Sequence, residues 1–284
     1  MIRQRWAVTV TVVATALVAG SPGGRQSAHA AVSLTFGTTF DCPEWSQLSG
    51  TDPCTAGDGI GRYGNWTTSS GKGDQITSAA NNPLGTGRGF RHWRGNGTNN
   101  QGGAISISFP PSRELWVRWY ARFSQGFAWQ NGAPHYTKEL YFHPGETGAM
   151  IPGFTSGTFY IHSLAGSQNL LSSTTWANIN GGSLGDGRFH CYEAYIKLDT
   201  DGRNGATKLW LDGKLVADHS GLNLGTRGPF DSFTLGSNQD YVINGDHYTD
   251  YDDVAVSITG AIGPIGGAPT LPLPAAPLNL RIVR

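Results

Sequence analysis

From residue 104 onward the chain repeats one pattern: short runs of alternating apolar and polar residues, each closed by a cluster of Gly, Asn, Asp or Pro. The runs are AISISF (104–109), ELWVRWYARF (114–123), KELYFH (138–143), TFYIHSL (158–164), HCYEAYIKLD (190–199), TKLWLDGKLV (207–216), SFTLGS (232–237) and DDVAVSI (252–258). Alternation at period two sends successive side chains to opposite faces of a strand. The intervening NGTNNQGG, QNGAP, HPGETG and TDGRNG supply turns. After residue 30 no segment keeps apolar residues at i, i+3, i+4 and i+7 for three turns, so the pattern argues against helices. Strands with one apolar face each bury it only in two facing sheets or a closed barrel. The expectation is an all-β fold.

The two ends read differently. Residues 1–30 combine MIRQR, the apolar run AVTVTVVATALVAG (7–20) and the small-residue site Ala28-His29-Ala30, the pattern of a signal peptide. The run is too short to span a bilayer, so a secreted protein with no membrane partner is expected. Residues 31–260 are read as one domain, and 261–284, with GPIGGAPTLPLPAAP, as a Pro-rich extended tail. Net charge is zero and charged residues make up 14% of the chain, which gives no reason to expect nucleic acid as a partner. In an exported chain Cys42 and Cys54 are expected to form a disulfide, leaving Cys191 as a small buried hydrophobe.

The strand faces carry the functional signal. In 114–123, Leu115, Val117, Trp119, Ala121 and Phe123 form a core face, and the opposite face presents Glu114, Trp116, Arg118, Tyr120 and Arg122. The same rule turns Leu140 and Phe142 inward against Glu139, Tyr141 and His143, with Lys138 at the strand start. It turns Phe159 and Ile161 inward against Tyr160 and His162. It also turns Tyr192, Ala194, Ile196 and Leu198 inward against Cys191, Glu193, Tyr195 and Lys197. Aromatics beside charges suit a groove for sugar rings, whose C–H faces pack on aromatic planes while hydroxyls and carboxylates meet fixed donors. The four strands are expected to share this groove, with residues 76–103 as loops at its rim. There Arg91 and Trp93, like Trp116 and Glu193, are candidates for substrate binding.

The segment YEAYIKLDTDGRNGATKLWLDGKLV, with SFTLGSN and YDDVAVSI after it, resembles the closing strands of concanavalin A-like jelly rolls. LWVRWYARF followed by KELYF is similar to secreted polysaccharide lyases of that fold, the alginate and glucuronan lyase type. The resemblance implies a two-sheet β-jelly roll that is a monomer and takes an acidic polysaccharide. It also implies β-elimination, which needs no cofactor: a donor neutralises the C6 carboxylate, a base removes the C5 proton and an acid protonates the leaving oxygen. Arg118, Arg122 and Lys197 are then the candidate neutralisers, and Lys138 and Glu139 are further catalytic candidates. Tyr120, Tyr141, Tyr160, Tyr195, His143 and His162 are the candidate acids and bases. The resemblance further implies a structural Ca²⁺ beside Asp252 and Asp253. Two other readings stay open: a hydrolase using Glu139 and Glu193 as an acid pair, and a lectin-like module without a poised base.

Overall fold

The computed structural model describes residues 32–41, 60–63, 74–81, 87–95, 104–127, 137–144, 150–155, 158–163, 168–175, 185–224, 228–236, 239 and 242–265. Residues 1–30, both Cys42 and Cys54, and the tail beyond Ile265 lie outside them. In chain order the strands are β1 (Phe36–Thr38), β2 (Ile60–Tyr63), β3 (Gln75–Thr77), β4 (Gly89–Trp93), β5 (Ala104–Ser112), β6 (Glu114–Phe123), β7 (Thr137–Lys138) and β8 (Leu140–Pro144). They continue with β9 (Met150–Thr155), β10 (Thr158–Ser163), β11 (Gln168–Thr175), β12 (His190–Lys197), β13 (Gly205–Leu211), β14 (Lys214–Leu222), β15 (Phe230–Leu235) and β16 (Tyr248–Ser257). The described residues contain one 3-10 turn, Ser78–Ala80, and no α-helix.

The strands make two antiparallel layers, the expected all-β sandwich. The first is an eight-stranded sheet in the order β14-β13-β12-β6-β16-β4-β3, with β1 also paired to β16. The second joins β2-β5-β15-β8 and β11-β10-β9-β7, with β8 running beside β9. Non-consecutive neighbours such as β6 between β12 and β16 mark the long crossovers of a jelly roll.

The core face read from β6 is the core face observed: Leu115, Val117, Trp119, Ala121 and Phe123 are all 0% exposed. They face Ile105, Ile107, Phe142, Phe233 and Leu235 of the second layer within one hydrophobic cluster. Trp119 stands opposite Tyr192 in register, and their rings stack with centroids 5.3 Å apart. Burying an aromatic of this size stabilises a fold by about 3–5 kcal/mol relative to alanine. The first sheet is therefore anchored at its centre.

Three local features depart from simple alternation. TKLWLDGKLV is a hairpin rather than one strand: Asp212 (φ 49°) and Gly213 (φ 78°) are both left-handed, the requirement of a two-residue type I′ turn. KELYFH breaks at Glu139, between β7 and β8. In β16 the pairing with β6 slips between Asp252 and Ala255, where Asp253 adopts φ 48°, forming a bulge that restores Val254 and Val256 to the core.

Candidate functional site

The outer face of the first sheet holds the decorated side of β6 and β12, and most of it is covered. Residues Ala261–Ile265, expected to begin the tail, lie across it. Glu193 accepts the amides of Ile262 (2.7 Å) and Gly263 (2.8 Å). Arg118 donates to the carbonyls of Gly263 (3.3 Å) and Asp253 (3.4 Å). The Tyr120 hydroxyl accepts the Ile265 amide (3.0 Å). Beyond this strap, Arg122 and Arg91 converge on Asp250: Arg91 Nε lies 2.6 Å from Oδ1 and Arg122 Nε 3.0 Å from Oδ2. Both guanidinium groups also donate to the carbonyl of Ala79. Arg91 stacks 3.6 Å over the Tyr248 ring, and Trp93 meets that ring edge-on.

These contacts give the guanidinium groups and Glu193 a second, polar layer of packing rather than a groove to line. Burial raises the Tyr120 phenol, and the neighbouring Cys191 adds to the shift. Burial likewise raises Tyr195, helped by its hydrogen bond to Glu114 (2.8 Å). Both phenols therefore stay protonated, which disfavours them as bases. The Cys191 thiol, 5% exposed, is pushed up to about 12 by burial, in keeping with an inert hydrophobe.

The alternation rule misplaces Glu139. With the strand broken at that residue, its side chain turns inward and is 0% exposed. Arg94, also fully buried, donates to Glu139 Oε1 (2.9 Å), the Tyr251 hydroxyl (3.1 Å), Thr249 Oγ1 (3.2 Å) and the Lys138 carbonyl (3.2 Å). Tyr251 in turn donates to Glu139 Oε2 at 2.6 Å. Burial raises the Glu139 carboxyl, opposed by Arg94 and by the Tyr251 hydrogen bond. The strand carrying Tyr160 is β10 in the second layer, whereas Glu193 lies on β12 in the first, so no single sheet brings Glu139 and Glu193 together across it. The two acids do not share a face, and each is already hydrogen-bonded within the fold.

The predicted site residues consequently divide between the two layers. Trp116, Arg118, Tyr120, Arg122, Glu193, Tyr195 and Lys197 belong to the first sheet, as do Arg91 and Trp93, which sit on β4 and not in a rim loop. Lys138, Tyr141, His143, Tyr160 and His162 belong to the second. There the register forms rows. Lys138 of β7 stands opposite Gly153 of β9, and Gly153 opposite Tyr160 of β10, which also faces Leu171 of β11. His162 comes two residues on, opposite Ile151 and Asn169. In β8, Tyr141 aligns with Thr234 and Ser106, and His143 with Ser232 and Ser108. Thr137 is fully buried and Lys138 half-buried, while Leu140 and Phe142 close the core below. Gly153, which leaves the Lys138–Tyr160 row without an intervening side chain, lies in MIPGFT, where Pro and Gly conceal the strand from pattern reading.

At the bulge, Asp252 Oδ1 accepts the Asp253 amide (2.8 Å). Among the described residues no group of three or more His, Cys, Asp or Glu side chains is placed to hold a metal, so the implied calcium enters no step below.

No protein-family model matches the chain, and no curated protein sequence does. Among solved structures it is similar to the binding domain of botulinum neurotoxin serotype D/C, with a TM-score of 0.51 and 10% identity over 79% of this chain and 48% of that one. It is also similar to a variant of alginate lyase Aly36B in complex with an alginate tetrasaccharide (TM-score 0.47, 15% identity, 69% of this chain and 86% of that one). A further similar structure is the endo-β-1,4-glucuronan lyase from the fungus Trichoderma reesei (TM-score 0.46, 14% identity, 69% and 94%). At these identities the likeness is one of fold.

Proposed function

We propose that this protein is an exported polysaccharide lyase that cleaves a uronate-containing chain by β-elimination, on the side of the second layer that carries Lys138. The observation that carries the reading is the Lys138–Gly153–Tyr160 row. Two strand spacings, together about 9.6 Å, separate a cationic position from a phenol position, with a glycine between them. That interval accommodates one sugar ring.

In this reading the Lys138 ammonium pairs with the C6 carboxylate and stabilises the negative charge that develops when C5 loses its proton. Tyr160 or His162 takes that proton. The electron pair of the broken C5–H bond forms the C4–C5 double bond as the C4–O bond breaks, and the departing glycosidic oxygen takes a proton from an acid of the same set. The first sheet is the poorer location because Arg118 and Arg122 are committed to Gly263, Asp253 and Asp250. Hydrolysis by Glu139 and Glu193 is disfavoured by their separation onto different layers.

Substitution tests the placement. Lys138→Ala and Tyr160→Phe are each expected to lower the elimination rate about a hundredfold or more, with an unchanged melting temperature. Full activity in both variants would remove the chemistry from this row.

A further inference from the structure

One part of the first sheet's outer face escapes the strap. Trp116 of β6, Tyr195 of β12, Lys208 of β13 and Asp218 of β14 form a single cross-strand row, and Glu114, Lys197, Ala206 and Ser220 form the row beside it. Trp116 and Tyr195 are half-buried, with ring centroids 4.9 Å apart and planes tilted by 39°. The Tyr195 hydroxyl is tied to Glu114, and Lys208 to Asp218 at 2.9 Å. Lys197, half-buried at the end of its strand, has no ion-pair partner among the described residues. Next to it Ala206 and Ser220 offer only small side chains beside the two rings.

From this patch we infer a second glycan-binding surface, on the opposite layer from the proposed catalytic row and specific for acidic polysaccharide. A tilted Trp–Tyr pair presents apolar planes to the C–H face of a pyranose. The Lys197 ammonium, without an ion-pair partner among the described residues, supplies the charge a uronate carboxylate needs, and Glu114 and Asp218 offer acceptors to hydroxyls. The row runs across the strands in steps of about 4.8 Å, close to the repeat of a polysaccharide chain lying along it. The patch mixes charge with its aromatic area, which fits a hydrated polymer better than an apolar protein interface. The inference takes its ligand class from the proposed function and rests on it for that alone.

Affinity electrophoresis of the full chain in native gels containing alginate, glucuronan or a neutral glucan tests it. The Lys138→Ala chain serves as the background, so that polymer is not degraded during the run. Retardation is expected in the acidic gels only. Adding Trp116→Ala should weaken it about five- to tenfold, as loss of one stacking plane implies. Trp116→Phe should retain most of it, and Lys197→Gln should weaken it in a way that added salt masks. Unchanged retardation in both Trp116→Ala and Lys197→Gln overturns the inference, as does equal retardation by the neutral glucan. Should Trp116→Ala not fold, Lys197→Gln decides alone. If Trp116-dependent retardation persists while no polymer yields an elimination product, the lyase reading fails and this one stands. If elimination proceeds and the substitutions leave retardation unchanged, this one fails alone.

Discussion

Replacing Arg94 by methionine keeps much of its volume but removes the guanidinium donors from the interior cluster, leaving Glu139 only the Tyr251 hydroxyl among its side-chain donors there. Glu139, Tyr251 and Thr249 lose partners at 2.9, 3.1 and 3.2 Å, all in residues 0% exposed. Truncating one side of a buried ion pair costs about 3–5 kcal/mol, because the remaining charge stays desolvated. For a domain of this size that is a fall of roughly 10 °C in melting temperature. The pH dependence is the sharper test. Burial already holds the Glu139 carboxyl above its ordinary range, and removing Arg94 raises it further. An acid raised in the folded state binds more protons folded than unfolded, so its stabilising contribution is present below the ordinary carboxylate range and is lost as pH rises through the folded value. Arg94→Met should therefore lose most at pH 7 and recover part of the deficit near pH 4.5. Arg94→Met combined with Glu139→Leu should recover most of it at both pH values, since a well-packed apolar pair replaces the ionic one. The assay is thermal unfolding followed by circular dichroism across that range. A deficit below about 1 kcal/mol, or one indifferent to pH, would refute the reasoning.

Three further outcomes follow from single features. Burial alone would lower the His190 pKa, but Asp212 and Asp186 outweigh it and raise it, so the contribution is full below the ordinary histidine range and lost as pH rises through the folded value. Asp212→Asn should then cost up to about 1 kcal/mol at pH 6 and little at pH 8.5 by thermal melts, and an equal cost at both would contradict the assignment. Cys191 should resist iodoacetamide at pH 8 until the chain is unfolded, as peptide mapping would report, and labelling of the native protein would count against its raised thiol. At Gly89 an added Cβ would lie 2.2 Å from the Ala80 carbonyl oxygen and 2.8 Å from that of Tyr251, so Gly89→Ala should destabilise by about 1–3 kcal/mol. A wild-type melting curve would show that the backbone there yields freely.

The sandwich was legible because the core-facing residues of β6 and β12 keep a strict period of two and are all buried, although Tyr120, Cys191 and Glu193 on the opposite face are buried as well. The short strands were not. β9 contains Pro152 and Gly153, β11 (QNLLSSTT) is largely polar, and β4 lies in a Gly- and Asn-rich stretch that reads as loop. Alternation also says which residues share a strand face but not which strands share a sheet, so Arg118 and Tyr160 read as neighbours and lie on different layers. The chemistry of β6 was visible, but its purpose was not. Nothing in GAIGPIG announces that its backbone amides and carbonyls would occupy Glu193 and Arg118. Glu139 failed the rule for a local reason: a strand interrupted at one residue loses its alternation there, and a buried arginine from β4's end took the carboxylate.

The central claim is elimination chemistry on a uronate polymer, and one assay reaches it most directly. Purified protein is incubated with alginate, glucuronan, pectate and glycosaminoglycans while the ultraviolet absorbance of the unsaturated uronate is followed, with reducing ends measured in parallel on the same polymers and on neutral glucans. Absorbance is expected to rise on at least one uronate polymer, in step with new reducing ends, and Lys138→Ala to lower both about a hundredfold or more. Reducing ends without absorbance, or no product from any polymer, would contradict the claim.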